Sequence, residues 1–246
     1  MEEYLRKSLH LASSGRPLLF LDTETTGLIS DDLKPVAWQI GYIRRLSRKP
    51  APDEQAGEAT LNVGEFLDPA ICNLCKVAAD HPMRAGRNPV EILETFAMRL
   101  DGAIPVGHNY DDFDYRILRF TYERYHVPLP PELRHVGMGY SIDTLILARM
   151  LFPRGVPGSP DNHKNETLAN HFGVTYDAAA LHNALTDTRL TMGVFDILIE
   201  RTQLAFRDEL FRSETARRAS VSSLRSSDEA IAQPDAPTKP QPSQTI

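Results

Sequence analysis

Four carboxylates lie within or beside apolar segments, where an isolated acid is unfavourable. They are Asp22 and Glu24 in LLFLDTETTGL, Asp114 in GHNYDDFDYRIL, and Asp187 in LHNALTDTRL, which also contains His182. Burying one unpaired carboxylate costs several kcal/mol, so four acids brought to one place would require bound cations. Hard divalent metal ions, which prefer oxygen ligands, meet that requirement.

The first two acids are predicted to project from one face of a strand. Residues 18–21 form a short apolar run typical of a buried strand. Side chains alternate along a strand, so Asp22 and Glu24 share a face, roughly 7 Å apart at the backbone. We expect the strand to break at residues 25–27, with Gly27 allowing a positive φ and the close approach of a ligand. The alternative is a strand end with solvated acids, because D-x-E alone is a common sequence.

Asp114 begins an apolar stripe with helical spacing. The stripe comprises Asp114, Ile117, Leu118, Thr121 and Tyr125. Its spacing predicts that Asp114 points toward the core. The alternative is an acid favoured by the dipole at a helix N-terminus, but Asp111 and Asp112 fit that role better because they lie earlier.

Asp187 begins a second stripe of the same kind. The stripe comprises Asp187, Leu190, Val194, Ile197 and Leu198. An acid on an apolar stripe needs a partner. His182, five residues earlier, is expected in the connection before this helix, free to reach over a metal site. The alternative is an ordinary histidine–aspartate pair at the surface.

As an ordered set, these segments resemble the DnaQ-like (DEDDh) 3′–5′ exonuclease superfamily. The motif D-x-E-T-T-G is present at residues 22–27, the Asn and Phe-Asp motif at Asn109, Phe113 and Asp114, and H-x4-D at His182 and Asp187. Three residues separate Asn109 from Phe113, a spacing closer to exonuclease I than to proofreading subunits, and it leaves Asp112 as an alternative to Asp114. Residues 141–153 and 165–174 are also similar, so the resemblance covers about 17–199.

This resemblance implies an α/β, ribonuclease H-like fold with a mixed central sheet flanked by helices. It implies that two Mg²⁺ or Mn²⁺ ions are bound by Asp22, Glu24, Asp114 and Asp187, and that His182 takes the proton from the attacking water. The substrate contacts that it implies are Thr25, Gly27, Leu28, Asn109 and Phe113. Stacking of Leu28 and Phe113 on terminal bases would confer little base specificity.

The implied activity is release of nucleoside 5′-monophosphates from the 3′ end of single-stranded nucleic acid, with DNA favoured. A polymerase proofreading subunit and an RNA-trimming exoribonuclease are alternatives with the same chemistry. An inactive interaction module is a third alternative, but the intact set of five motif residues argues against it. A polymerase or another protein is a candidate partner through the C-terminal tail.

Composition suits a cytoplasmic or nuclear enzyme rather than a secreted or membrane protein. The 246 residues contain no apolar run of membrane-spanning length and no hydrophobic signal core. Between residues 18 and 200 there are 25 Asp and Glu against 17 Lys and Arg, whereas a tight duplex binder is usually basic. This excess suggests contact with only a few terminal nucleotides, or delivery by a partner.

Several minor features are expected to be structural. Cys72 and Cys75 form a lone C-x-x-C, for which two free thiols are a better interpretation than zinc. The basic run at residues 44–49 is expected to be a solvated hairpin or loop. Four histidines outside the motifs are interpreted as structural or surface groups: His126, His135, His163 and His171.

The chain is predicted to contain a catalytic domain with two appendages. Residues 1–16 are expected to form a short helix and linker, 17–212 the exonuclease domain, and 213–246 a disordered tail rich in Ser, Ala, Pro and Gln. Within the domain, strands are predicted at 36–45, 59–67 and 104–107, and a helix at 90–101. The segments 49–58 and 153–164 are predicted to be turns or loops.

Overall fold

A five-stranded mixed sheet forms the centre of the protein. The computed structural model describes residues 2–30, 33–46 and 55–231, with side chains described as far as residue 207. The strands are β1 (Leu18–Thr25), β2 (Ala37–Arg45), β3 (Gln55–Thr60), β4 (Ile104–Gly107) and β5 (Ile142–Asp143), in the order β3-β2-β1-β4-β5. β1, β2 and β3 pair antiparallel, whereas β4 and β5 extend the sheet in parallel from β1. The mixed sheet expected from the sequence is therefore confirmed.

Helices cover both faces of this sheet. They are α1 (Glu2–Ala12), α2 (Pro69–Cys75), α3 (His81–Ala85), α4 (Pro89–Leu100), α5 (Asp114–Arg124), α6 (Thr144–Leu151), α7 (Asn165–Phe172) and α8 (Ala184–Ile231). Leu19 and Leu21 of β1 pack with α4 and α5, whereas Leu18 and Phe20 pack with α1, α6, α7 and α8. Burial of both faces explains why the start of β1 is a continuous apolar run.

Most predicted elements are confirmed, but the third strand was placed wrongly. It was predicted at 59–67, whereas β3 spans Gln55–Thr60, so it overlaps the prediction by two residues and otherwise lies in the segment interpreted as a turn or loop. β3 is an edge strand, and its polar residues pair with β2 through backbone hydrogen bonds alone, so they leave no apolar pattern. Leu61, Val63 and Leu67 produced the apolar pattern because they enter the core from an irregular segment.

The interpretation of residues 44–49 as a solvated basic loop is wrong for Arg45. Its side chain is buried and donates two hydrogen bonds to Asp196 of α8, at 2.6 and 2.9 Å. The guanidinium also lies 4.8 Å from the ring centre of Phe20. A cation in this interior position is stabilised by its bidentate carboxylate partner, and the pair fastens α8 to β2. Arg48 and Lys49 lie outside the described residues.

The two ends of the chain differ from simple appendages. In α1, Tyr4, Ser8 and Leu11 are buried, and the Tyr4 hydroxyl oxygen accepts a 2.8 Å hydrogen bond from the Asp143 backbone. Residues 1–202 form one compact unit, which includes α1. α8 continues to Ile231, so residues 213–231, expected to be disordered, have a helical backbone, in keeping with their lack of Pro and Gly. Residues 232–246 lie outside the described residues. Among the helices of the described residues, none is long and apolar enough to cross a membrane.

Candidate active site

The sheet and α5 bring three of the predicted acids together. Asp22 and Glu24 both lie on β1, and Asp114 is the first residue of α5. The backbone N–H and the hydroxyl of Thr23 donate to Asp114 Oδ1 at 3.0 and 2.7 Å. Since Thr23 stands between the two strand acids, these bonds hold Asp114 beside them.

The alternative ligand Asp112 does not join this cluster. Asp112 is exposed, whereas Asp114 is only 2% exposed. The turn before α5 is held by Asp143, whose carboxylate accepts hydrogen bonds from the backbone of Asn109 and Asp111 at 3.0 and 3.1 Å. The same carboxylate caps α6 by accepting from Leu145 N at 2.8 Å. The structure therefore favours Asp114 as the acid of the second motif.

The start of α8 brings His182 and Asp187 to the same place. His182 lies in the connection before α8, as expected, with φ of 65°, and its backbone N–H donates to Asp187 Oδ2 at 3.2 Å. One ligand atom each from Glu24, His182 and Asp187 lie within 4.8 Å of one another. This cluster has the ligand types and spacing to hold a divalent cation.

Two residues of β2 position this end of α8. The Gln39 side-chain oxygen accepts a 3.0 Å hydrogen bond from Ala184 N at the beginning of the helix. Gly41 pairs with Asp22 across the strands, and a Cβ at Gly41 would lie 2.3 Å from the Ala184 carbonyl carbon. Only glycine permits this approach, which places Asp187 near the acids of β1.

The electrostatics of the cluster favour a bound cation. Burial, together with the neighbouring acids, raises the pKa of Asp22 well above its ordinary value. Burial also raises the pKa of Glu24 and of Asp114 to about 7, and raises the pKa of Asp187. Asp187 Oδ1 is buried and has no hydrogen-bond partner among the described residues. Hard cations suit these oxygen donors, because they would offset the repulsion and supply the missing partner.

Cys75 is a member of this site that sequence reasoning missed. Its thiol donates a 3.1 Å hydrogen bond to Glu24 Oε2 from the end of α2. Burial and the Glu24 charge raise the pKa of the Cys75 thiol, so it remains a protonated donor. Cys72 lies elsewhere on α2, with its sulfur 3.7 Å from the Leu67 carbonyl oxygen. The C-x-x-C spacing contained no signal for a contact 51 residues away in sequence.

The residues that follow Glu24 open onto a groove. The Thr25 hydroxyl donates to the Gly27 carbonyl at 2.7 Å, and Leu28 is 71% exposed. The groove has a volume of about 650 Å³ and runs from Thr26–Leu28 to Phe66 and Arg124. Gly27 does not have the positive φ expected for it. A Cβ at this position would meet no atom within 4 Å. Its backbone is thus open to a ligand without an unusual conformation.

Asn109 and Phe113 both lie in the segment between β4 and α5. Asn109 has φ of 61° and lines a groove of about 370 Å³, whose charged lining residues are Arg149, Arg154 and Lys164. Phe113 is half-buried and packs against the core on the α4 and α5 side of the sheet. The structure thus leaves Asn109 accessible to a ligand, while most of the Phe113 contacts are internal.

The mixed sheet flanked by helices is a ribonuclease H-like fold, and the cluster of Glu24, His182 and Asp187 is a candidate metal site. The family model described as "Exonuclease", of the RNase T type, matches residues 19–195, and the chain belongs to this exonuclease family. This family agrees with the resemblance to the DnaQ-like exonuclease superfamily that the motifs indicated. A DNA polymerase III PolC-type protein of Lacticaseibacillus paracasei is 30% identical over 170 residues, which cover 69% of this chain and 10% of that protein.

Solved structures share the fold at low sequence identity. E. coli Exonuclease I in complex with a dT13 oligonucleotide is 19% identical, with a TM-score of 0.60 over 79% of this chain and 43% of that chain. Exonuclease I from Methylocaldum szegediense is 22% identical, with a TM-score of 0.59 over 78% of this chain and 43% of that chain. This chain therefore spans less than half the length of those exonucleases and a tenth of the PolC-type protein.

Proposed function

We propose that this enzyme removes nucleotides from the 3′ end of single-stranded DNA and releases nucleoside 5′-monophosphates. The observation that carries the proposal is the cluster of Glu24, His182 and Asp187, in which one oxygen of Asp187 has no hydrogen-bond partner among the described residues. Asp22 and Asp114 add their charges to this cluster, since burial and the carboxylates of Asp114, Glu24 and Asp187 raise the pKa of Asp22. Four crowded acids disfavour a site for a bare anion, so a phosphodiester would bind only with cations present. Mg²⁺ or Mn²⁺ held by these acids would neutralise charge on the scissile phosphate.

The residues of this chain would then orient and activate the reactants. His182 accepts the proton of the attacking water, whose oxygen forms a bond to phosphorus while the bond from phosphorus to the 3′ oxygen breaks. The 3′ oxygen of the shortened strand takes a proton from solvent. The released nucleotide keeps its phosphate on the 5′ oxygen, which defines the product. The groove beyond Gly27 would hold the terminal nucleotides, with Leu28 against a base.

DNA is favoured over RNA as the substrate. A fold neighbour is complexed with a DNA oligonucleotide, and no 2′-hydroxyl contact follows from the motif residues. A proofreading role is the second candidate, favoured by the 30% identity to a PolC-type polymerase. That role would require a polymerase partner, with residues 213–246 as its candidate attachment segment.

The test compares matched substrates carrying a label at either end. Single-stranded DNA, single-stranded RNA and a primer–template with a 3′ mismatch are incubated with Mg²⁺, with Mn²⁺ and with excess chelator. We expect stepwise shortening of 5′-labelled DNA, and labelled mononucleotide from 3′-labelled DNA, only with metal. Asp187→Ala should remove this activity, whereas Asp112→Ala, a change of an exposed acid outside the cluster, should retain it.

Each part of the proposal can fail separately. Mononucleotide released first from the 5′ end would overturn the polarity, and nucleoside 3′-monophosphates would overturn the bond assignment. Faster hydrolysis of RNA than of DNA would mean that RNA, and not DNA, is the substrate. Selective action on the mismatched primer would favour the proofreading role.

A further inference from the structure

The outer face of α5 presents a basic groove near the catalytic site. Asp114 begins this helix on its buried face, while Arg116 and Arg119 are exposed on the opposite face. The groove has a volume of about 510 Å³ and is lined by Lys34, Arg116, Arg119, Phe120, Tyr122, Glu123, Val127 and Leu129. We call it the α5 groove. Three cations and one carboxylate line it, the reverse of the acidic balance of the chain.

The two arginines of the α5 groove are held by aromatic rings. The Arg116 guanidinium lies 6.0 Å from the ring centre of Phe120, and that of Arg119 lies 5.6 Å from the ring centre of Tyr115. No carboxylate of the described residues forms an ion pair with either arginine, whereas Glu123 is already paired with Lys34 at 3.6 Å. Both guanidinium groups are thus packed on aromatic rings and available to an anionic ligand.

The α5 groove and the groove that starts after Glu24 have one lining residue in common. Lys34 lines both of them, so the two grooves meet at this residue. The first groove starts at Thr26, two residues after Glu24. Arg119 lies five positions after Asp114, a rise of about 7.5 Å along the axis of α5. A strand that leaves the site through the first groove and passes Lys34 would reach the arginines.

We propose that the α5 groove binds backbone phosphates of the single strand on the 5′ side of the scissile bond. Guanidinium groups pair with phosphate oxygens in a bidentate manner, and an anionic polymer matches a groove with excess positive charge. This inference rests on the proposed function, because the 3′ end of the strand must occupy the acidic cluster. The α5 groove would make the affinity for a strand depend on its length, in a chain whose net charge disfavours general binding of nucleic acid.

The test measures KM for short and long substrates as a function of salt. The variant Arg116→Gln/Arg119→Gln keeps much of the side-chain bulk and removes both charges. Wild type and variant are compared on a DNA trinucleotide and on a 16-nucleotide strand. Arg201→Gln is the matched control, because Arg201 is an exposed arginine of α8 that lines none of the described grooves and lies about 21 Å along the helix beyond Asp187.

The expected loss follows from counterion release. Each phosphate contact to a single strand contributes about 0.7 to the slope of log affinity against log salt, so the variant should lose about 1.4 of that slope. This corresponds to a rise of about 25-fold in KM for the 16-nucleotide strand at 0.1 M salt, relative to 1 M salt, where the difference should vanish. The kcat on both substrates and the KM of the trinucleotide should be unchanged, and so should every value of the control.

Three outcomes would overturn the inference. They are an unchanged KM and slope for the long strand, an equal loss on both substrates, and displacement of the long strand by polyglutamate as readily as by DNA of equal length. If wild type hydrolyses neither substrate, the proposed function fails instead. Fluorescence anisotropy of the labelled 16-nucleotide strand then decides the role of the arginines, because equal binding by wild type and variant would overturn it.

Discussion

Replacing Asp114 by Asn should make the metal-free protein more stable at pH 8 while abolishing hydrolysis. Burial is the first cause that raises the pKa of Asp114 to about 7, from an ordinary value of 3.8. The carboxylate oxygen that accepts from Thr23 at 3.0 and 2.7 Å has a counterpart in the Asn carbonyl. The substitution therefore removes the charge and keeps both hydrogen bonds.

The size of the effect follows from this shift in pKa. The rise in the pKa of Asp114 from 3.8 to about 7 corresponds to about 4 kcal/mol. This is the upper limit of the free energy by which ionised Asp114 destabilises the folded protein. Relaxation of the side chains reduces this penalty, and we expect Asn to gain about 2 kcal/mol in free energy of unfolding. For a unit of about 200 residues, this gain raises Tm by about 4–8 °C.

The dependence on pH gives this prediction a second signature. Because the pKa of Asp114 is higher in the folded protein, its contribution to stability is fully present below pH 4 and is lost as pH rises through about 7. Wild type in excess chelator should lose stability across that window by up to about 2 kcal/mol more than Asp114→Asn. Asp112→Asn, which removes an exposed acid of the same segment, should follow wild type.

Thermal unfolding followed by circular dichroism, from pH 4 to pH 9 in chelator, measures both signatures. Saturating Mg²⁺ should stabilise wild type by mass action and stabilise Asp114→Asn much less. A natively folded Asp114→Asn protein with an equal or lower Tm at pH 8 in chelator would refute the reasoning. It would mean that the burial of this carboxylate is compensated by something other than a cation.

The remaining predictions concern other parts of the site. His182→Ala should hydrolyse about a hundred- to ten-thousandfold more slowly and lose the acidic limb of the pH–rate profile, while substrate affinity measured by anisotropy is unchanged. Cys75→Ala should raise the Mg²⁺ concentration needed for half-maximal rate severalfold, because Glu24 loses a hydrogen bond. Cys75→Ser should keep the wild-type Mg²⁺ requirement because serine can donate the same bond, and Cys72→Ala should have no effect. Gly41→Ala should lower the free energy of unfolding, measured with urea, by several kcal/mol, because the alanine Cβ would overlap the start of α8. The same variant should lose more than a hundredfold in activity. Removal of residues 213–246 should leave turnover of short single strands nearly unchanged, and a large loss would place that segment in the site.

The acids were predictable from the sequence because charge in an apolar segment requires a partner. Asp22 and Glu24 follow a buried run, and Asp114 and Asp187 begin helical stripes whose apolar members are buried or partly buried. Periodicity of this kind reports which face of an element is inside. It therefore indicated the strand, both helices and the direction of each acid.

The contacts that position these acids were not predictable in the same way. Gln39 meets Ala184, and Cys75 meets Glu24, across 145 and 51 residues of sequence. Gly41 carries no side chain to reveal that α8 lies against it. The strand β3 was missed for a related reason, because its pairing uses backbone groups that every sequence possesses.

Hydrogen bonding distinguishes Asp187 of the site from Asp143, a buried acid with a structural role. Burial raises the pKa of Asp143 to about 6, so charge and burial alone would include it in the cluster. Its two carboxylate oxygens, however, accept from the backbone of Asn109, Asp111 and Leu145. Asp187 Oδ1 has no such partner among the described residues. A buried carboxylate whose bonds are complete holds the fold, whereas one left incomplete by the protein must be completed by a ligand, and this difference separates two acids that look alike in the sequence.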